Sequence, residues 1–215
     1  VSSELGEIPE GWKILRIGNL LSSLESGSRP KGGVGDLEDG IPSIGAENII
    51  GLGKYDFLKE KYVSINYFNK MNKGVVRNWD VLLYKDGAQL GRKTMFAQDF
   101  PHKKCCINSH VFILRSNEFI NQLYLYYWLD QDSMTRNLVN LNTNSAQPGI
   151  NQPSVKQLKI LIPEKYSIQK FQEVTECLMI KLFENCKENQ VLIKTRDTLL
   201  PKLMSGEIRV PIQEE

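Results

Sequence analysis

The side chains best suited to recognition chemistry in this sequence are forked donors and amides in polar loops. Arg29 and Lys31 share a glycine-rich stretch, Lys85, Gln89, Arg92 and Lys93 surround the Asp86 to Gly91 turn, and Lys103, Lys104, Asn108 and His110 cluster later. Arg or Lys can donate to a guanine edge, Asn or Gln can pair with adenine, and lysines and hydroxyls hold phosphate oxygens. Asn142, Asn144, Ser145 and Gln147 form a fourth group, although the run from Asn142 to Asn151 is rich in turn formers and reads at least as well as a connector. His110 precedes an apolar run, where it suits a base, a phosphate or a bond to its own backbone.

Catalytic constellations are absent from the sequence. The cluster Lys31-Gly32-Gly33-Val34-Gly35 lacks the spacing of a phosphate-binding G-x-x-x-x-G-K-[ST] loop. No glutamate is followed two residues later by lysine, as in many metal-dependent nucleases, and no Asn or Asp precedes Pro-Pro-Tyr, as in adenine methyltransferases. His102 and His110 lack zinc-ligand spacing, so no metal site is expected. Trp12, Trp79 and Trp128, each flanked by apolar or strand-like sequence, read as core anchors rather than stacking platforms.

Composition agrees with a binding module. Of 215 residues, 41% are hydrophobic and 24% charged, which is ordinary globular usage, and the formal net charge is only +2. The charge is unevenly spread: residues 1–50 carry 4 basic and 8 acidic side chains, residues 51–115 carry 12 and 5. A polyanion could dock on that central block, or its lysines could simply solvate a surface. The four cysteines form no C-x-x-C pair, and no run of 18 apolar residues or basic-then-apolar leader appears, so a cytoplasmic protein without a membrane segment is expected.

The elements that must carry these loops divide the chain in two. Up to about residue 165, short apolar runs (Ile41 to Ile44, Val75 to Val76, Asp80 to Tyr84, Val111 to Leu114) alternate with Gly, Pro, Asn and Asp, which predicts strands. One helix is expected between Phe119 and Val139, giving an α+β domain of mixed or antiparallel strands over residues 1–165. Residues 166–215 carry a stripe at helical spacing through Ile168, Phe171, Leu178, Leu182, Asn185, Asn189, Leu192 and Leu199. No Gly or Pro interrupts Ser167 to Leu200, about 50 Å at ~1.5 Å per residue, ending near Pro201 and Gly206. So long an amphipathic helix suggests a coiled-coil partner, or a fold back along its own domain.

Several patterns in order resemble the specificity subunit of Type I restriction-modification systems. They are Ile8-Pro9-Glu10-Gly11-Trp12, Ser26-Gly27-Ser28-Arg29-Pro30, Ile41-Pro42-Ser43-Ile44 with Asn48-Ile49, and Trp79-Asp80-Val81-Leu82-Leu83, where Trp79 replaces the family's usual glycine. Gln147-Pro148-Gly149-Ile150-Asn151, then Leu158 and Ile162-Pro163, resemble the end of a target-recognition domain, and Leu199-Leu200-Pro201-Lys202-Leu203-Met204-Ser205-Gly206-Glu207-Ile208 is the most specific match. A full subunit alternates two recognition domains with two spacer helices; this chain carries one of each and so resembles a half subunit, natural or truncated.

The resemblance implies a non-catalytic, cytoplasmic chain that binds double-stranded DNA and directs methylation and restriction subunits. The cofactors S-adenosylmethionine, ATP and magnesium would then belong to those partners and none to this chain. The long apolar stripe itself predicts that two copies pair as a homodimer through antiparallel helices and face an inverted repeat with half-sites within about 15 base pairs. In a fragment of a full subunit the partner would instead be the other helix of the same polypeptide, and the target need not be symmetric. The alternatives are a detached recognition domain of a single-chain adenine methyltransferase, which leaves the helix unexplained, and a coiled-coil adaptor, which leaves the basic block unexplained.

Overall fold

A computed structural model describes residues 2–3, 6–30, 33–34, 37–142 and 149–209. In chain order the elements are β1 (Ser2–Ser3), β2 (Gly6–Glu7), β3 (Lys13–Arg16), β4 (Leu21–Ser26), β5 (Ile41–Ile44), β6 (Tyr62–Val63), α1 (Ile65–Asn69), β7 (Val81–Tyr84) and β8 (Lys93–Met95). There follow β9 (Cys106–Ile107), β10 (Val111–Ser116), α2 (Gln122–Asp130), α3 (Asp132–Asn140), α4 (Gln152–Gln157), β11 (Lys159–Ile162) and α5 (Lys165–Met204).

The central sheet has the order β4-β10-β7-β8 and is antiparallel throughout, with Phe112 opposite Leu83 and Leu82 opposite Thr94. Its two inner strands, β10 and β7, read as continuous apolar runs because both of their faces are covered. Since side chains alternate along a strand, Val81, Leu83, Phe112 and Leu114 pack with α2 and α5, while Leu82, Val111 and Ile113 pack with Ile44, Ile49 and Ile107. Ile44 and Ile107 belong to a small mixed sheet, β6-β5-β9, in which β5 and β9 run parallel. The expected α+β class with mixed and antiparallel strands is what the chain adopts.

Three elements differ from the sequence expectation. The single helix between Phe119 and Val139 is two, because Gln131 takes an extended conformation (φ −62°, ψ 143°) between α2 and α3. Val75 to Val76 is not a strand; Val75 makes only an isolated bridge to Cys106. The last helix is longer than Ser167 to Leu200: α5 has 40 residues, about 60 Å at ~1.5 Å per residue. Pro201, which has no N–H to donate to the Asp197 carbonyl, sits one turn before the helix end, and the stop falls near Gly206 at φ +75°.

The stripe on α5 also has two functions rather than one. Ile168 and Phe171 pack on the domain core, Phe171 edge-on to Tyr124 and Tyr127, and Leu182 lies against the same core and beside Gly53. These three are therefore corrected from partner-facing to domain-facing. Met179 and Phe183, which lie off the stripe, are buried; Phe183 meets Trp79 and Phe100 at ring-centroid distances of 6.1 and 6.0 Å. Leu178, Asn185, Asn189, Leu192 and Leu199 remain exposed, and from Val191 to Leu200 every residue faces solvent. The helix thus begins as part of the domain and leaves it near Cys186, whose Sγ donates to the Gly53 carbonyl.

Candidate nucleic-acid interface

Loops from four parts of the chain converge beyond the Tyr84 end of β7. The first follows β4, where Gly27 lies so close to the β9–β10 turn that a Cβ would sit 2.1 Å from the Ile107 carbonyl oxygen. Only glycine permits that approach, and it brings Arg29 onto His110. The second is the β9–β10 turn itself: Asn108 is buried, and its Oδ1 accepts from the His110 N–H at 2.8 Å. The third is the β7–β8 turn, joined to the fourth by the bridge between Asp86 and Gly149 and by the Ile150 N–H bond to the Lys85 carbonyl, 2.8 Å.

These loops create a chain of polar contacts. Lys85 donates to Asp86 Oδ2 at 2.6 Å, His110 Nδ1 lies 2.9 Å from the same oxygen, and Arg29 contacts His110 Nε2. A carboxylate accepts and a guanidinium donates, so the arrangement assigns the imidazole proton to Nδ1. Beside this cluster, Gln89, Arg92 and Tyr84 line a groove of about 610 Å³ together with Glu47, Asp56 and Lys59, the last two ion-paired at 3.0 Å. Gln89 and Arg92 are exposed, so both side chains can reach outward from a rigid hairpin end. Burial works against the charge on Glu47, but its own backbone amide and Lys61, at 3.1 Å, hold its carboxyl below the usual range.

The sequence candidates fare unequally. Arg29, Lys85, Gln89, Arg92 and His110 share this face. Asn108 is there as a buried brace for the turn rather than an open reader. Lys93 must be corrected: it points inward, 6% exposed, donating to Thr135 Oγ1 at 2.6 Å with Asp130 at 3.6 Å, and burial lowers its pKa. Side chains alternate along the extended chain that enters β8, where the Arg92 carbonyl accepts from the Tyr84 N–H, so exposure of Arg92 puts Lys93 on the opposite side. Lys103 and Lys104 are exposed but stand elsewhere; Lys103 lines a small cleft with Arg77, Asn78 and His102, before rather than after β7. Asn142 Oδ1 accepts from the Gly149 N–H at 3.0 Å, which supports the connector reading. Lys31, Asn144, Ser145 and Gln147 lie outside the described residues.

Sequence pattern does not single out Tyr84, Lys59, Glu47 or Asp86 as members of this face. Nor does it reveal the buried ion cluster at the opposite, Val81 end of β7, in which Arg115 binds Asp80 through Nε and Nη2 at 2.7 and 2.6 Å, Glu25 at 2.5 Å and the Val75 carbonyl at 2.9 Å. Among the described residues no group of His, Cys, Asp and Glu could hold a metal ion, and no helix is long and apolar enough to cross a membrane.

The structure thus defines a class by its architecture: one small α+β domain with a polar loop face, carried on a long helix that leaves the domain. The model for the Type I restriction modification DNA specificity domain matches residues 9–173, and the chain belongs to that family. Two specificity subunits of Methanocaldococcus jannaschii Type I restriction enzymes, MjaIX and MjaVIII, are 26% and 24% identical to it, over 95% and 97% of this chain and 46% and 49% of their own. The chain therefore spans about half the length of the curated relatives it matches. Its fold is similar to that of the HsdS subunit from Thermoanaerobacter tengcongensis (TM-score 0.55, 18% identity, 94% of this chain and 47% of that one). The S subunit from M. genitalium is similar too (TM-score 0.58, 16% identity, 93% and 48%).

Proposed function

We propose that this chain selects the DNA sequence for a Type I restriction-modification system and has no catalytic site of its own. The observation that carries this is the convergence of Arg29, Lys85, Gln89, Arg92 and His110 on one face of a domain of the specificity family. Arg92 and Gln89 have the forked donor and the amide that base edges require, and the neighbouring cations can bind phosphates. Methyl transfer with S-adenosylmethionine and ATP-driven cleavage with magnesium belong, in this reading, to methylation and restriction subunits docked on the chain. A cytoplasmic location fits four cysteines that are all free.

Arg29→Ala and Arg92→Ala should each weaken binding of a duplex. Each should also flatten the dependence of log K on log salt by about 0.9 per lost phosphate contact. Lys93→Met should leave that slope unchanged, since the amine faces Thr135 and Asp130. Unchanged binding in both arginine variants, in a salt-dependent shift assay, would move the interface elsewhere.

The exposed half of α5 suits a second helix. Leu192 and Leu199 are 56% and 41% exposed, and Val191, Ile193, Leu200 and Leu203 accompany them. An antiparallel pair through this half gives a homodimer with its recognition domains at opposite ends; in a longer polypeptide the same surface would take a second helix of that chain. Leu192→Asp with Leu199→Asp should turn the dimer into a monomer and leave the domain folded, because neither residue touches the core. Sedimentation of the wild type as a monomer at high micromolar concentration would reject the homodimer.

A further inference from the structure

We propose that Asp86 is a positioning residue that sets sequence discrimination on this face, by holding Lys85, His110 and, through His110, Arg29 on one carboxylate. The inference rests on the DNA-reading role proposed above. An unrestrained lysine or arginine takes any phosphate within reach and so strengthens binding to every sequence alike. Here the cations are not unrestrained. Lys85 Nζ lies 2.6 Å and His110 Nδ1 2.9 Å from the same Asp86 oxygen, and Arg29 is fixed on the far ring nitrogen of His110.

The carboxylate is itself fixed from behind. Asp86 bridges to Gly149, and the next residue, Gly87, has φ +84° with its Cα so near Tyr84 that a Cβ would lie 2.7 Å from the phenol oxygen. The hairpin end therefore holds the negative charge in place among the cations. A duplex gains Lys85 and Arg29 only where its own groups displace or complement that carboxylate, and an arbitrary phosphate meets repulsion instead. Lys85 is further steadied 5.4 Å over the ring of Phe112, which limits where its amine can go.

The test is Asp86→Asn, close to isosteric, with duplexes carrying a randomised centre as the probe. Affinity is measured for the unselected pool and for the sequence the wild type enriches from it, across a salt series. With Asp86→Asn, pool affinity should rise ~5-fold at about 0.15 M salt and the salt slope should steepen by about 0.9, as for one added phosphate contact. The enriched sequence should gain less, so the ratio between the two falls. Adding Lys85→Met to Asp86→Asn should erase most of the gain.

Equal gains for pool and enriched sequence, or no gain, overturn the proposal: Asp86 would then be a generic repulsive charge or a structural residue. Lys85→Met alone gives a second measurement that does not depend on how Asp86→Asn folds. With Lys85 already neutralised by Asp86, its loss should flatten the pool slope by well under the ~0.9 of a free contact, and a full loss overturns the idea. A wild type that enriches no sequence overturns the DNA-reading function together with this inference. A wild type that enriches one, with an unchanged ratio in Asp86→Asn, overturns the inference alone.

Discussion

Arg115→Leu should destabilise the chain by about 3–5 kcal/mol, the cost typical of removing one partner from a buried ion pair. The Arg115 side chain is 13% exposed and that of Asp80 only 3%, so water cannot replace the two guanidinium bonds that Asp80 loses. Burial already raises the Asp80 pKa, against the pull of Arg115 and of the Arg77 amide. Without Arg115 it would rise further, and the folded state would bind a proton that the unfolded state does not. Stability of the variant should therefore recover as the pH falls through that raised value toward the ordinary carboxylate range. Urea unfolding at two pH values measures both effects. Adding Asp80→Asn should recover part of the loss at neutral pH, since the unpaired charge would then be gone. A loss under about 1 kcal/mol, the scale of an exposed pair, would mean that the cluster is solvated rather than buried.

Phe183→Ala should cost about 3–5 kcal/mol as well, by a different route: it empties a site between Trp79, Phe100 and the helix backbone that no neighbour can fill. Phe183 is fully buried, and with Met179 and Ile168 it ties the first half of α5 to the domain. The variant should show earlier protease cutting in the helix and a lower unfolding midpoint. Leu178→Ala, on the same helix but 65% exposed, should stay within about 0.5 kcal/mol of the wild type. Equal stability of Phe183→Ala and the wild type would show that α5 is not anchored here.

Local sequence pattern carries part of this fold. Ile41 to Ile44, Asp80 to Tyr84 and Val111 to Leu114 read as strands because apolar runs bounded by turn residues have few other uses, and each run forms a strand, with only Asp80 left outside. The break at Gln131 is not legible, since Tyr127, Met134 and Leu138 keep seven- and four-residue helical spacing across a hinge made by two dihedral angles. The stripe on α5 is legible as apolar but not as divided: nothing local tells Leu182, which meets Gly53, from Leu192, which meets solvent.

The candidate face is half legible for the same reason. The hairpin end with Gln89 and Arg92 announces itself by Asp86-Gly87 after an apolar run, whereas the grouping of Arg29 with His110 depends on the clearance at Gly27. Lys93 is misread from sequence because one step along β8 reverses direction, and the phase of that alternation is set by pairing with β7, a non-local fact. The Arg115 cluster joins positions 25, 80 and 115, a union that only the sheet order β4-β10-β7 creates.

Trp79 is the residue that stands where the family's usual glycine does, and its backbone shows why glycine suits the place: φ is +68°, in a turn closed by the Asp80 N–H on the Arg77 carbonyl at 3.1 Å. Its indole nevertheless packs on Phe183. Backbone and side chain ask for incompatible things from an L-amino acid, since glycine would relax the turn and leave the helix without its aromatic neighbour. A mirror-image residue is at ease at positive φ, so chemical synthesis with a D-aromatic amino acid could relax this turn while keeping a ring at the position. The chain has settled on the nearest approximation that a ribosome can make.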